Sequence, residues 1–268
     1  MASKMTDKDD GKASGTAAFS KFATVLALVG DAAEPPGMAQ LAASSGYPRP
    51  TVYRIVGALV AQGWLVETLS GGAYQLGPGL LALASRSWER SDLRLLAISE
   101  LQALRDATQE TVHLAVPSAA EMVYIEKLES PHAVRMASRV GTRVTLYSSS
   151  VGKAWLAASA PAVSEPLIRA LHFKRFTPHT LSGPHALREE LALIRERGYA
   201  EDREENEAQI FCYGQAVLGA DGRPAACISI SIPLFRKQAN PRRTYLEPLD
   251  RACQAIAMKL AQTPSLGV

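Results

Sequence analysis

Apolar residues in the first third of the chain recur at helical spacing. Phe22, Val25, Leu26 and Val29 follow the i, i+3, i+4, i+7 pattern, which predicts an amphipathic helix ending before Gly30 and the Pro35-Pro36-Gly37 turn. Met38, Leu41 and Ala42 make a second, short helical face. It closes at Gly46, a residue able to take the left-handed conformation that ends helices. Val52, Ile55, Val56 and Leu59 repeat the spacing, with Pro50 in the leading turn, where its missing N–H costs nothing. Gln62-Gly63 ends this third helix. Residues 64–67 and 73–76 then read as two short strands around the turn Ser70-Gly71-Gly72.

Leu80, Leu81, Leu83 and Ala84 open a further helical stretch and Leu93, Ala97, Leu101 and Leu104 another, with a break at Ser91-Asp92. Beyond the break, β-branched content predicts strands at 111–116, 122–128 and 134–138, and later at 211–218 and 224–232, the last two joined by a hairpin at Asp221-Gly222. Helices are expected at 184–197, with Leu187, Leu191 and Ile194 on one face and Gly198 as cap, and at 245–262. The reading is α+β in four parts. They are a polar, flexible tail at 1–17, a three-helix unit with a hairpin at 18–78, a linker helix at 79–91, and a unit of strands and helices at 92–265.

Composition narrows the class. The 268 residues suit two domains, and 47% hydrophobic with 21% charged residues is the balance of an ordinary globular chain. No apolar run reaches the roughly 18 residues of a membrane span, and residues 1–18 lack the apolar centre of a secretory signal. A cytoplasmic location without a membrane partner is therefore expected. Cys212, Cys227 and Cys253 lack CxxC or Cys/His spacing, which predicts buried thiols rather than disulfides or zinc, and no cofactor-binding motif is found. The net charge of +3 neither demands nor excludes a polyanion. Because residues 1–90 hold eight Lys/Arg against seven Asp/Glu, any contact with nucleic acid must come from where charges sit rather than from their sum.

Helix, turn, helix and hairpin is the order of a winged helix-turn-helix, whose second motif helix lies in the major groove of DNA. With Val52, Ile55, Val56 and Leu59 turned inward, Arg49, Thr51, Tyr53 and Arg54 project outward beside Pro50. Arg can bond guanine edges bidentately or neutralise phosphate, and the Thr and Tyr hydroxyls reach phosphate oxygens. Ser70 and Gly71, at the hairpin tip, let backbone approach the adjacent groove. The same pattern also serves protein docking, and Arg49 and Arg54 read equally as solvated charges. Salt-sensitive binding to duplex DNA separates these readings.

Several motifs occur in a fixed order. The first unit carries Tyr47-Pro48-Arg49-Pro50-Thr51-Val52-Tyr53-Arg54, Gln62-Gly63-Trp64-Leu65 and Tyr74-Gln75-Leu76-Gly77. The second carries Glu110-Thr111-Val112-His113-Leu114, Val123-Tyr124-Ile125-Glu126-Lys127, Val151-Gly152-Lys153-Ala154, Arg175-Phe176-Thr177-Pro178, Arg197-Gly198-Tyr199-Ala200 and Asp202-Arg203-Glu204-Glu205-Asn206-Glu207. From about Phe22 to Leu260 the chain resembles the IclR family of bacterial regulators. The resemblance implies a winged helix-turn-helix joined to an α/β effector domain similar to GAF and PAS sensors. It also implies dimers or tetramers formed through the N-terminal domains and linker helices, and an inverted-repeat operator in double-stranded DNA.

Carried over by motif, the resemblance places a small-molecule effector, an organic or aromatic acid, among Ser150, Val151, Gly152, Asp202, Ile210, Cys212, Ser229 and Ser231. Free N–H groups at a helix start near Ser149 to Gly152 suit a carboxylate, and Ser229 and Ser231 share one strand face. Plainer readings stand beside these: the serines face solvent, Cys212 is a small buried hydrophobe, and Asp202 caps a turn or pairs with Arg203. Two departures from the family pattern are Ile232, where Gly is frequent, and Arg203, where a second acid is. An enzyme is the rival class, with Cys212 and His113 as imagined nucleophile and base. The sequence lacks the Gly-x-Ser-x-Gly elbow, phosphate-binding loop and His-Glu-x-x-His that would support one, so no enzymatic activity is expected.

Overall fold

The computed structural model describes residues 16–89 and 91–262. The chain divides between residues 90 and 91 into two compact units. The first holds α1 (Thr16–Asp31), α2 (Met38–Ser45), α3 (Arg49–Ala61), β1 (Leu65–Glu67), β2 (Tyr74–Leu76) and α4 (Pro78–Glu89). Helix α1 exceeds the sequence expectation at both ends. It opens at Thr16, inside the segment read as a tail, and it passes Gly30, since one glycine costs a helix only about 1 kcal/mol and the next proline is Pro35. The rest of that expected tail, 1–15, and the end of the last expected unit, 263–265, lie outside the described residues.

Val25, Val29, Leu41, Val52, Ile55, Val56, Leu59 and Leu65 form one buried cluster, so the spacing that predicts the three helices also supplies their shared core. Each such side chain stabilises the unit by roughly 1.5–3 kcal/mol. The hairpin pairs Leu65 with Leu76, and α4 starts hard against its base, where the Gly77 N–H donates to the Trp64 carbonyl at 2.7 Å. A β-carbon at 77 would overlap the Gly63 carbonyl.

The second unit holds α5 (Asp92–Thr108), β3 (Thr111–Ser118), β4 (Glu121–Leu128), β5 (Arg143–Thr145), α6 (Ser150–Ala158), α7 (Pro161–Ala170), α8 (Pro184–Arg197), β6 (Ala200–Arg203), β7 (Ile210–Leu218), β8 (Pro224–Pro233) and α9 (Glu247–Ala261). Its sheet is antiparallel throughout, in the order β5-β4-β3-β8-β7-β6. Alternation along the strands gives the sheet two dissimilar faces. Val112, Leu114, Phe211, Tyr213, Ile228, Ile230 and Ile232 join one core with Leu101 and Leu104 of α5 and Leu249 and Ile256 of α9. Helices α6 and α8 belong to a second core, which includes Leu156, Leu187 and Leu191.

Residues 134–138, expected as a strand, form a loop over the second face. The carbonyls of Met136 and Ser138 are taken by the Lys127 ammonium, at 2.7 and 2.6 Å, and the place beside β4 goes to β5. Helix α7 and the short strands β5 and β6 had no sequence prediction. Among the described residues no helix is long and apolar enough to cross a membrane.

Candidate functional site

Two surfaces carry chemistry, one in each unit. On α3, Val52, Ile55, Val56 and Leu59 are buried, which forces the residues between them outward. Arg49, Pro50, Tyr53 and Arg54 are exposed and Thr51 is half-buried; Tyr53, at 69% exposure, is a large aromatic with no role in the core. The hairpin tip presents Leu69, Ser70 and Gly71 to solvent. Gly71 and Gly72 both have positive φ, 75° and 76°, and the Gly72 N–H donates to Glu67 Oε1 at 2.6 Å, which holds the turn closed.

In the second unit a cavity of about 290 Å³ lies on the sheet face opposite α5 and α9. The strand register builds its floor. Asp202, Cys212 and Ser231 are direct neighbours across β6, β7 and β8, and Ser229 of β8 pairs with His113 of β3 in the adjoining row. Met136 and Ser138 of the 134–138 loop close one side, Ser149 and Ser150 at the start of α6 another, and Asn206 and Glu207 of the turn after β6 a third. Helix α6 reaches the cavity because Gly214 of β7 has no side chain: a β-carbon there would lie 2.7 Å from the Ser150 carbonyl carbon.

Of the expected effector residues, Ser150, Asp202, Ile210, Cys212 and Ser231 line the cavity. Val151, Gly152 and Ser229 are not among the lining residues. Val151 is wholly buried in the second core, and Gly152 packs on the Thr145–Leu146 backbone. Ser229 is 1% exposed beside the Tyr124 hydroxyl, its Oγ without a hydrogen bond of good geometry. The expectation of free N–H groups from Ser149 to Gly152 is corrected in part. Ser149 is the N-cap and accepts from the Gly152 N–H at 3.0 Å, which leaves the first-turn N–H groups of Ser150 and Val151 without an intrahelical acceptor.

Asp202 Oδ1 accepts from the N–H groups of Glu205 and Asn206 at 2.7 and 3.2 Å, so the carboxylate does cap a turn, whereas Arg203 binds Glu201. Oδ2 has no partner among the described residues. Burial pushes the Asp202 carboxyl up to about 7; Glu205 adds to this and Lys153 opposes it. Beneath it Lys153 Nζ meets Glu205 Oε1 at 2.5 Å in a buried pair.

Sequence reasoning missed Tyr124, Ser138, Asn206 and Glu207, and named His113 only as an imagined base. His113 Nε2 is 2.8 Å from Ser138 Oγ, its ring stacks on Tyr124 at 4.2 Å, and its Nδ1 lies 3.4 Å from Ser231 Oγ, to which the Cys212 thiol donates at 3.3 Å. Cys212 and His113 thus share a cavity. Burial holds the thiol well above its usual range, however, and drives the imidazole down to about 3, with Lys127 adding to the fall. A protonated thiol beside a neutral, weakly basic ring is suited to hydrogen bonding rather than to nucleophilic attack.

Comparison with known proteins bears on both units. Residues 19–68 match the IclR helix-turn-helix domain, and residues 86–258 match the family described as bacterial transcriptional regulator IclR C-terminal. The chain is 30% identical over 224 residues to the HTH-type transcriptional regulator KdgR of Escherichia coli, a match covering 84% of this chain and 85% of that one. The crystal structure of Thermotoga maritima IclR superposes with a TM-score of 0.68 at 29% identity, covering 92% of this chain and 99% of that one. A homologue from Microbacterium hydrocarbonoxydans, solved in complex with 4-hydroxybenzoate, gives a TM-score of 0.75 at 26% identity, covering 92% of this chain and all (100%) of that one. The chain belongs to the IclR family of bacterial transcriptional regulators, DNA-binding proteins that join an N-terminal helix-turn-helix domain to a C-terminal effector-binding domain.

Proposed function

We propose that Arg49, Pro50, Thr51, Tyr53 and Arg54 of α3 read the major groove of an inverted-repeat operator while Ser70 and Gly71 of the hairpin approach the neighbouring groove. A small organic or aromatic acid in the second unit's cavity then alters that binding. The observation that carries the reading is the split of α3 into a buried apolar face and a face whose arginines and tyrosine are exposed. A homodimer or tetramer follows from the two-fold symmetry of such an operator. Exposed Phe19 on α1 and Leu81 on α4, at 71% and 69%, supply apolar surface for its assembly. The acid reading is supported by the Ser150 hydroxyl and first-turn N–H of α6 at the cavity and by the 4-hydroxybenzoate bound to the Microbacterium relative. The protein acts in the cytoplasm as a regulator and not as an enzyme. Footprinting on the DNA flanking its own gene tests the first part: two protected half-sites about one helical turn apart are expected. A titration of the same complex with 4-hydroxybenzoate and related acids tests the second, and DNA affinity unmoved by any of them counts against it.

A further inference from the structure

The charge on the cavity wall narrows the ligand. Two carboxylates, Asp202 and Glu207, line it, and no Lys or Arg does so among the described residues. The cations behind the wall are both engaged, Lys153 with Glu205 and Lys127 with Glu129 and the carbonyls of Met136 and Ser138. His113 is neutral at physiological pH, and its Nε2 is engaged with Ser138. What remains for an anion is the first turn of α6, where Ser150 Oγ, which has no partner among the described residues, joins the Ser150 N–H. What remains near Asp202 is an acceptor, the unpartnered Oδ2, on the same cavity wall as Tyr124 of β4 and Cys212 of β7, both protonated. One end of the cavity therefore suits one carboxylate, and the other suits a hydrogen-bond donor. At about 290 Å³ the space is at the small end of ligand pockets, so a second carboxylate could not be held far from Asp202 and Glu207.

We infer that the effector is a small monocarboxylate carrying a hydroxyl at its far end, and that Asp202, supported by Glu207, excludes dicarboxylates. This rests on the proposal that the cavity is the effector site. The exclusion has a pH dependence. Asp202 loses its proton near pH 7, raised first by burial, in the field of Glu205 on its own turn and Lys153 on α6, with Glu207 on the same wall, while the protonated Tyr124 and Cys212 and the neutral His113 do not change charge in that range. A dianion meets an ionised Asp202 at pH 8 and a largely neutral one at pH 6.

The test is calorimetric titration of the full-length protein with two matched pairs, 4-hydroxybenzoate against terephthalate and 4-hydroxybutyrate against succinate, at pH 8, with Asp202→Asn alongside. Asn keeps the Oδ1 acceptor that caps the turn. Each hydroxy acid that binds is expected to bind about tenfold or more tighter than its diacid. Asp202→Asn should narrow that ratio to about threefold or less by tightening the diacid, and for the benzoate pair pH 6 should narrow it in the wild type. A diacid that binds the wild type as tightly as its hydroxy acid overturns the inference while leaving the effector site standing, and an unchanged ratio in the variant overturns the role of Asp202. If no member of either pair binds either protein, the small-acid reading of the cavity falls and takes this inference with it. Should Asp202→Asn fail to fold, the exposed Glu207→Gln carries the same test, with a narrowing of about threefold expected and an unchanged ratio overturning the inference.

Discussion

Lys153 and Glu205 form an ion pair at 2.5 Å beneath the cavity floor, with the lysine side chain wholly removed from solvent and the glutamate 7% exposed. Each partner comes from a different wall, Lys153 from α6 and Glu205 from the turn after β6, so the pair ties together the two segments that frame the cavity. Glu205 Oε2 has no hydrogen-bond partner among the described residues, and burial raises the carboxyl's pKa despite the opposing pull of Lys153. A pair so placed is costly to break and contributes little net stability, because two desolvated charges offset most of their attraction.

Lys153→Met should therefore lower the unfolding free energy by about 3–5 kcal/mol, since it strands a buried carboxylate. Lys153→Met combined with Glu205→Leu should recover most of that loss. Urea denaturation of the three proteins decides the matter, and a double variant as unstable as the single one would show that the pair supplies net stability.

Gly214→Ala should cost about 1–3 kcal/mol through overpacking, because its β-carbon would meet the Ser150 backbone at 2.7–2.8 Å. The strain falls on the first turn of α6, so ligand affinity should weaken with stability. Thermal unfolding with and without 4-hydroxybenzoate measures both effects. Wild-type stability in this variant would show that α6 moves away freely.

Two buried groups give stability opposite slopes with pH. The His113 imidazole titrates near 3 in the folded protein and near 6.5 when unfolded, so its contribution is present above pH 6.5 and is lost as pH falls toward 3. Wild type should lose up to about 1.4 kcal/mol per pH unit more than His113→Gln across that window. Asp202, raised from 3.8 to about 7, contributes stability below pH 3.8 that is lost as pH rises through 7, so Asp202→Asn should gain on wild type over that range. Parallel pH curves for a variant and the wild type would show that the group concerned is not held as the geometry implies.

Helix α3 was legible because its information is local. A 3.6-residue period names the buried face of α3, and the exposed face is what remains. The cavity was legible only where the resemblance supplied residues. Asp202, Cys212 and Ser231 meet through the register of three strands distant in sequence, and His113 enters because β3 lies beside β8. Alternation along each strand places Thr111 and His113 on one face but cannot say what covers that face. The 134–138 loop misled because its conformation is set by the Lys127 ammonium reaching across from β4, an interaction with no local signature.

Entry of the outward face of α3 into the groove of DNA is the central claim, and Arg54→Ala examines it most directly. Fluorescence anisotropy on the footprinted operator, repeated across a salt series, should show the variant about tenfold or more weaker. The slope of log affinity against log salt should be shallower by about 0.9 for each phosphate that the variant no longer neutralises, with folding and acid binding unchanged. Equal affinities and equal slopes for wild type and variant would contradict the assignment of this surface.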